Sequence, residues 1–539
     1  MLHSRSRLAA IALAVASVLV TALGSSFAGQ ARASTTQIAI LQDDPPLLSD
    51  PVGTLARMRK LGVGTVRVLV RWQNVARAAS SYRRPRNFDA TNPAAYPAGS
   101  WAPYDNLLAN AQQDGIAVDF DLAGGAPLWA TGPGAPRGQQ HFNWEPSPRE
   151  YGSFVRAAGK RYSGSYTPPG ASAPLPRVHF WSIWNEPDYG PSLAPQGVPG
   201  NLRVERSPSM YRQLVDAAWS SLAATGHGHD KILIGEIAPR GVPQWGVFSG
   251  MKPLIFVRAL YCVDGSYRAL RGRTAKLRGC PTTTAGVRSF PARNPGLFHA
   301  SGFSDHPYMR WYTPNREAQP DPDYTSLGLI GQLVRALDRA QRVYGSDPRF
   351  PIYSTEFGYL TDPPKHSTAS APEVSPTAAG YYLNWAEYLS WRNPRIASYA
   401  QYLLQDALPA LRSNQYGGFA SGLVAFNGKN KADYYAYRVP IYLPVTTVRR
   451  PHTLEVWGCA RPAPFASLDN GGAAQSVVIE FEPSSGGGFQ RRATVPISSS
   501  SCYFDTRVAF PSSGTVRLAW APNPTGSTLY SRTVQVTVR

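Results

Sequence analysis

The sequence predicts a parallel (β/α)8 TIM barrel followed by a small C-terminal all-β sandwich. From Gln37 to about Ala407, short β-branched runs alternate with amphipathic helical stretches. After Pro440 the helical periodicity stops, and short alternating runs are separated by Gly- and Ser-rich turns. Strands that alternate with helices are typical of a closed parallel barrel, whereas short alternating strands are typical of a sandwich.

The first 33 residues resemble a secretory signal peptide. Arg5 and Arg7 precede an apolar stretch at 8–20, and Ala31-Arg32-Ala33 matches the A-x-A cleavage pattern. Cleavage after Ala33 would leave 539 − 33 = 506 residues. The apolar stretch is too short for a membrane span, and no other run in the chain is as long. We therefore expect a secreted, extracellular protein without stable membrane insertion.

Eight strands and several helix starts justify the barrel. The strand candidates are 37–41, 65–70, 117–122, 178–184, 231–237, 302–308, 351–357 and 396–404. Helices between them are predicted to begin at pairs of a capping residue and a proline, namely Asp50-Pro51, Ser147-Pro148, Ser207-Pro208 and Ser375-Pro376. We place the barrel domain at 34–440 and the sandwich at 441–539.

Four cysteines are expected to pair, because an exported chain meets an oxidising compartment. Three connectivities are possible for Cys262, Cys280, Cys459 and Cys502. Local pairing, Cys262 with Cys280 and Cys459 with Cys502, puts one bridge in each domain and is our prediction. The first pair lies in the insert 256–294, which we expect at the mouth of the barrel. No CxxC or His-rich spacing is present, so no metal site is expected.

Polar residues collect where the predicted strands end. Strand four ends in Asn185-Glu186, strand six in Asp305-His306-Pro307-Tyr308, and strand seven in a segment with Glu356. Active sites of such barrels lie at these carboxyl ends, and strands four and seven face each other across an eight-strand barrel. Two carboxylates that face each other across a cleft are the minimum needed for glycoside hydrolysis.

Each of these residues also has a structural interpretation. Asn185 and Glu186 are suited to the start of a helix, and Glu356 alone to a cap or a loop. His306 and Tyr308 are individually common as packing residues. Arg67, inside the apolar second strand, is costly to bury without an acid, so we expect it to pair with Glu356.

The segments WNEP around Glu186 and STEFGY around Glu356 resemble glycoside hydrolase clan A, the retaining (β/α)8 glycosidases that include families 5 and 39. The resemblance covers about 37–440. It implies that Glu186 is the acid/base and Glu356 the nucleophile of a hydrolase that needs no cofactor. It also implies substrate-binding roles for Asn185, Arg67, His306 and Tyr308, and for Trp129 in the segment APLWA, with an oligo- or polysaccharide as the substrate.

Two further expectations concern the details of this site. We expect Glu186 to lie against Trp181 or Trp184, which would raise its pKa and suit it to donate a proton. Many members of the clan end strand eight in a Trp that lies under the sugar. Here Gln401, Tyr402 or Gln405 occupies that neighbourhood, so the sugar is not specified.

The formal charge is +20, or +17 without the three arginines of the leader. No dense Lys/Arg tract is present, so we expect no nucleic-acid partner. The excess charge fits either a solvated surface or association with an anionic cell wall, and both interpretations stay open. Three functions compete: a hydrolase, a transglycosylase with the same two glutamates, and a non-catalytic carbohydrate-binding or cell-wall protein.

Overall fold

The structure is a computed structural model that describes residues 34, 36–135, 141–242, 246–362, 373–407, 419–497, 501–522 and 526–539. The expected signal peptide, 1–33, lies outside these residues. Within the described ranges, none of the helices has the length and apolar character needed to cross a membrane.

Eight parallel strands close into a barrel, as predicted. Neighbours in sequence are neighbours in the barrel, and the last strand closes it by pairing with the first, with Ser398 opposite Ile38. The strands are β1 Ile38–Gln42, β2 Thr65–Leu69, β3 Ala117–Leu122, β4 Phe180–Ile183, β5 Lys231–Ile237, β6 Gly302–Asp305, β7 Ile352–Ser354 and β8 Ile396–Tyr402.

Helices surround the barrel and also occupy its longer loops. The longer ones are Pro51–Lys60, Ala102–Gln113, Pro148–Arg161, Ser207–Ala223, Pro253–Leu260, Ile330–Arg342, Pro376–Arg392 and Ala432–Arg438. Shorter helices are Asp44–Ser49, Trp72–Val75, Gly272–Leu277, Thr284–Arg288, Phe290–Arg293 and Gly296–His299, with 3-10 turns at Pro93–Ala95, Leu128–Ala130, His141–Asn143 and Leu327–Leu329. A hairpin joins Gly197–Val198 to Asn201–Glu205.

Three of the four predicted helix starts have the expected cap. The side chains of Asp50, Ser147 and Ser375 each accept a hydrogen bond from a backbone N–H of the first turn. Ser207 is instead the first residue of its helix, which is preceded by Arg206 without a side-chain cap.

The insert 256–294 lies on the flank of the barrel and not at its mouth, where we expected it. Most of the insert lies between the end of helix Pro253–Leu260 and the start of β6, and it packs against the neighbouring helix. Arg212 of helix Ser207–Ala223 donates to the carbonyls of Leu260 at 2.8 Å and Gly279 at 3.0 Å. The predicted disulfide Cys262–Cys280 is present.

The C-terminal region forms two sheets around a common core, as predicted, with one helix, Ala463–Asp469, that we did not predict. One sheet has the order β9-β11-β14 and the other β10-β17-β15-β12-β13, with β16 beside β15. The disulfide Cys459–Cys502 is present. The strands are β9 Ile441–Tyr442, β10 Thr447–Val448, β11 Leu454–Cys459, β12 Gln475–Pro483, β13 Gln490–Ile497, β14 Tyr503–Val508, β15 Gly514–Trp520, β16 Leu529–Tyr530 and β17 Val534–Val538.

The C-terminal region at 441–539, here called the β-region, packs on the amino-terminal face of the barrel. Arg461 and Glu387 form a buried ion pair at 2.6 Å, and Tyr503 donates to the same carboxylate at 2.7 Å. Gln37, which precedes β1, donates to the Tyr503 hydroxyl. Gly62, which precedes β2, lies so close to the Arg461 backbone that a Cβ there would be 2.2 Å from its carbonyl carbon. The carboxyl ends of the strands are on the opposite side.

Candidate active site

Arg67 is the centre of a polar network inside the carboxyl end of the barrel. Its side chain is fully buried, and its guanidinium donates to Glu356 Oε1 at 2.7 Å and to Asn185 Oδ1 at 2.9 Å. It also donates to Asp121 Oδ2 at 2.7 Å and to Glu236 Oε2 at 2.9 Å. The structure therefore brings Arg67, Asn185 and Glu356 together, with the ion pair that we expected from the sequence.

Glu236, at the end of β5, is a site residue that sequence reasoning missed. Oε2 of its buried carboxylate also accepts from Thr355 Oγ1 at 2.7 Å. The pairing of β5 with β6 is irregular between Ile234 and Ile237, and Gly235 there has a φ of 111°. A Cβ at Gly235 would be 2.6 Å from the Ser304 carbonyl oxygen, so only glycine fits. Bulges of this kind redirect side chains near active sites.

His306 lies between three carboxylates. Its Nδ1 is 3.0 Å from Glu186 Oε1 and 3.6 Å from Glu356 Oε2, and its Nε2 is 3.0 Å from Glu236 Oε2. Because both ring nitrogens face carboxylate oxygens, both are assigned as donors. Burial by itself would lower the pKa of His306, but Glu356, Glu186 and Glu236 raise it well above its usual value. The ring is therefore an imidazolium.

The carboxylates around Arg67 differ in charge. Burial by itself would raise the pKa of Glu236, but Arg67, His306 and Thr355 lower it to about 2. Burial raises the pKa of Asp121 well above its usual value, and the nearby Arg67 only partly opposes this. Since one guanidinium cannot balance every carboxylate around it in a low dielectric, Glu236, which has the additional donors, is the ionised member of this pair.

Tyr308 contacts Glu356 and belongs to a group of three aromatic residues. The Tyr308 hydroxyl donates to Glu356 Oε2 at 3.1 Å. The Phe419 ring packs against Tyr308 with centroids 5.6 Å apart and against Tyr402 with centroids 5.9 Å apart. Of the three residues considered for the end of β8, Tyr402 is thus the one whose ring joins this aromatic group. The amide of Gln401 is instead bonded to the backbone carbonyls of Leu403 and Ser421.

The backbone at this site is in an unusual conformation. Trp184, Glu186 and Glu236 have φ angles of 65°, 42° and 50°, in the left-handed region that non-glycine residues rarely adopt. The Glu186 N–H donates to the Glu236 carbonyl at 2.8 Å, which ties these two segments together. Strain of this kind costs about 1–3 kcal/mol per residue and clusters at functional sites. In the described chain no helix follows Glu186 before Ser207, so the helix-start interpretation of Asn185-Glu186 is wrong.

The expected tryptophan contacts of Glu186 do not form. Trp181 points outward, where it packs against Phe120 and His227. The Trp184 ring packs against Tyr151, and its indole N–H donates to the Ser192 carbonyl. The neighbour that Glu186 does have is His306, so its environment is charged rather than apolar.

Trp129 is also engaged away from the carboxylates. Its ring packs edge-on against Trp72 and Phe88, with centroids 6.2 and 5.9 Å apart, and the Arg84 guanidinium lies 5.5 Å from it. Its indole N–H donates to the Arg77 carbonyl. Two clefts open beside Glu186 and Asn185, and Trp129 is not among the described residues that line them. A contact between Trp129 and a sugar therefore stays a prediction.

Glu186 and Glu356 are close enough to act on one bond. One carboxylate oxygen of each, together with a His306 nitrogen, lies within 4.8 Å of the others. Such a cluster could in principle hold a cation. Here the imidazolium and Arg67 already supply the positive charge, and a metal would have to displace the His306 proton.

Two clefts approach these carboxylates from different sides of β4. The β2–β4 cleft, of about 140 Å³, is lined by Leu69, Arg71, Gln73, Ala123, Gly124, Gly125, Phe142, Asn143, Asn185, Pro191 and Ser192. The β5–β8 cleft, of about 350 Å³, is lined by Glu186, Tyr189, Ala238, Pro239, Arg240, Tyr308, Arg310, Gly358, Leu360 and Phe419. Asn185 lines the first cleft and Glu186 the second, so the two clefts reach adjacent residues at the end of β4. A larger cleft, of about 560 Å³, lies between the barrel and the β-region near Arg59 and Phe465, remote from these residues.

Comparisons with known proteins find likeness in structure only. No protein-family model matches the sequence, and a search among curated proteins finds no match. Among solved structures, a family 39 glycoside hydrolase from Bacteroides cellulosilyticus WH2 is similar at 13% identity and a TM-score of 0.44, over 88% of this chain and 79% of that one. A glucosidase from Croceicoccus marinus is similar at 12% identity and a TM-score of 0.45, over 90% and 94%.

A β-glucuronidase from Bacteroides uniformis is also similar, at 11% identity and a TM-score of 0.40. The match covers 94% of this chain, which spans about half the length of that enzyme, at 46%. This chain itself forms a closed barrel of eight parallel strands, which is the fold that the resemblance to glycoside hydrolase clan A implied.

Proposed function

We propose that the protein is a retaining glycoside hydrolase that cleaves O-glycosidic bonds of an oligo- or polysaccharide by double displacement. The observation that carries the proposal is the approach of Glu186 and Glu356 carboxylate oxygens to within 4.8 Å. Retaining enzymes hold their two carboxyl groups about 5 Å apart, whereas inverting enzymes leave about 6.5–9.5 Å for a water molecule.

Glu356 acts as the nucleophile. Arg67 and Tyr308 each donate to one of its oxygens, at 2.7 and 3.1 Å, and these two contacts hold the side chain in place for attack. In the first step Glu356 forms a bond to the anomeric carbon while the bond from that carbon to the leaving oxygen breaks. The electron pair of the broken bond stays with the leaving oxygen.

Glu186 acts as the proton donor and then as the base. It transfers its proton to the leaving oxygen in the first step and becomes a carboxylate, to which the His306 N–H at 3.0 Å donates. In the second step this carboxylate takes a proton from water, the water oxygen bonds to the anomeric carbon, and Glu356 is released. His306 thus stabilises the charge that develops on Glu186, whereas the tryptophan pocket that we expected would have favoured the uncharged acid.

Asn185 binds the sugar. Its Oδ1 accepts from Arg67, which orients the amide so that Nδ2 is left to donate to a substrate hydroxyl in the β2–β4 cleft. We further propose that the chain is secreted after cleavage at Ala33, an assignment with which the two disulfides are compatible.

The test is turnover of a panel of aryl β-glycosides and wall polysaccharides by wild type, Glu186→Ala and Glu356→Ala. We expect Glu356→Ala to abolish turnover and azide to restore part of the activity of Glu186→Ala on activated aryl glycosides. Glu205→Ala, which removes an acid that pairs with Arg278 away from the site, is the control. Product analysis separates hydrolysis from transglycosylation. Binding of a polysaccharide without turnover by any form would favour a non-catalytic carbohydrate-binding protein.

A further inference from the structure

We propose that the substrate is an anionic polysaccharide whose negatively charged sugars occupy both clefts, on either side of the scissile bond. The inference rests on the proposed function, since it assigns the clefts to the two sides of that bond. It starts from the charges that line the clefts. Among the described residues of the two linings, Glu186 is the only acid, whereas three are arginines, Arg71, Arg240 and Arg310.

Arg71 is the cation of the β2–β4 cleft. Its side chain is exposed, and no described residue forms an ion pair or a hydrogen bond with its guanidinium. Asp44 feels its charge, but burial raises the pKa of Asp44, so that acid is a weak counterion. The segments outside the described ranges contain no Asp or Glu that could neutralise Arg71.

Arg310 is the free cation of the β5–β8 cleft. Arg240 in the same cleft is neutralised by an ion pair with Glu317 and donates to the Tyr308 carbonyl. Arg310, in contrast, is exposed, and within the described chain its guanidinium contacts the Trp311 ring, 5.8 Å from the ring centroid, and no acid. One uncompensated arginine therefore lies on each side of Glu186 and Glu356.

Aromatic rings in the clefts favour sugars over a simple anion. Phe142 lines the β2–β4 cleft, and Tyr189 and Phe419, which are 42% and 40% exposed, line the β5–β8 cleft. Such exposed rings can pack against the apolar faces of sugars. Two separated cations match a chain that carries charges on both sides of the reacting bond. The net charge of +17 that is left after cleavage at Ala33 (20 − 3) would attract such a polyanion over a longer range.

Other exposed arginines of the described chain, Arg156 among them, also have no ion pair there, so the test must separate the clefts from general charge. Binding is measured by isothermal titration calorimetry with polygalacturonate and hyaluronan, each compared with its neutral methyl ester. The proteins are wild type, Arg71→Ala, Arg310→Ala, the charge-preserving Arg71→Lys and Arg310→Lys, and Arg156→Ala. Arg156 is an exposed arginine of helix Pro148–Arg161, outside both clefts, and serves as the matched control.

We expect wild type to bind at least one acidic polymer about tenfold more tightly than its ester, and each cleft Arg→Ala variant to lose most of that preference. The lysine variants and Arg156→Ala should keep it. Equal binding of acids and esters, equal losses in Arg156→Ala, or equally tight binding of double-stranded DNA would overturn the inference. Glu356-dependent cleavage of a neutral polysaccharide alone would overturn it and leave the proposed hydrolase intact. Selective binding of the acidic polymers without any turnover would support the anionic polysaccharide as the ligand and overturn the proposed hydrolase.

Discussion

His306 donates to Glu236 through Nε2 at 3.0 Å, while its Nδ1 lies 3.0 Å from Glu186. A buried acid on β5 is thereby linked through one imidazolium to the proposed proton donor on β4. Glu236 itself lines neither cleft, so we assign it as a positioning residue. It holds the charge and orientation of His306 and, through Arg67, those of Glu356.

The first prediction concerns Glu236→Gln. Loss of the charge should weaken the hold on the His306 imidazolium, so kcat/KM should fall most for glycosides with poor leaving groups, which need the proton, by up to about 10²-fold. Activated dinitrophenyl glycosides should be affected much less. The matched control is Asp121→Asn, because Asp121 accepts from Arg67 but is not among the described hydrogen-bond partners of His306. An equal loss of kcat/KM for all leaving groups in Glu236→Gln would show that Glu236 has only a structural role.

The second prediction concerns Arg67→Met. Removal of the guanidinium leaves the buried acids Glu236 and Asp121 without their shared cation, and such a loss costs about 3–5 kcal/mol. The free energy of unfolding from urea denaturation should fall by that order, and activity should be lost. Arg59→Met, which breaks a partly exposed ion pair with Asp469, should cost about 0–1 kcal/mol. Similar costs for both variants would show that the buried network contributes little.

The third prediction concerns pH. Burial raises the pKa of Asp305 to about 8, above the unfolded value of about 3.9. The folded state therefore binds more protons between these values, and stability should fall as pH rises from about 4 towards 8. The raised pKa of His306 acts in the same direction above about pH 6.5. Asp305→Asn should flatten this slope in urea unfolding curves, and an unchanged slope would mean that Asp305 does not carry it.

The fourth prediction compares the two disulfides. Cys459–Cys502 closes a loop of 43 residues and Cys262–Cys280 one of 18. In the chain-entropy account these loops correspond to about 4 and about 3 kcal/mol. Ser for Cys replacement of the first pair should therefore lower the melting temperature more than replacement of the second. The opposite order in scanning calorimetry would point to native-state effects of the insert.

Most of the fold could be predicted because its signals are local. The eight strands show as β-branched runs, and a strand with an acid or amide at its end marks the carboxyl face, which indicated Asn185, Glu186 and Glu356. Glu236 carries the same signal, as an acid at the end of KILIGEI. We missed it because its direction depends on the bulge at Gly235, which is set by close contact with Ser304 on the next strand.

The direction of the Trp181 side chain follows from the alternation of side chains along β4. Ser182 bonds Asp119 inside the barrel, and Phe180 packs with Leu233 and Tyr353 in a buried cluster. Alternating side chains point to opposite faces of a strand, so Trp181 between them must face the helices. The flank position of the insert could not be predicted, because it depends on tertiary contacts of Arg212 that leave no pattern in the sequence.

The buried pair of Arg461 and Glu387 makes the two halves of the chain hard to separate. Cutting after Pro440 would leave Glu387, 1% exposed in its side chain, without its cation, and would uncover the helix that carries it. We therefore propose that the boundary at 440/441 marks a change of architecture rather than a point of independent folding. The barrel alone, transplanted into another protein, would expose a surface that the β-region normally covers, so a variant library for this protein should be built on the whole chain.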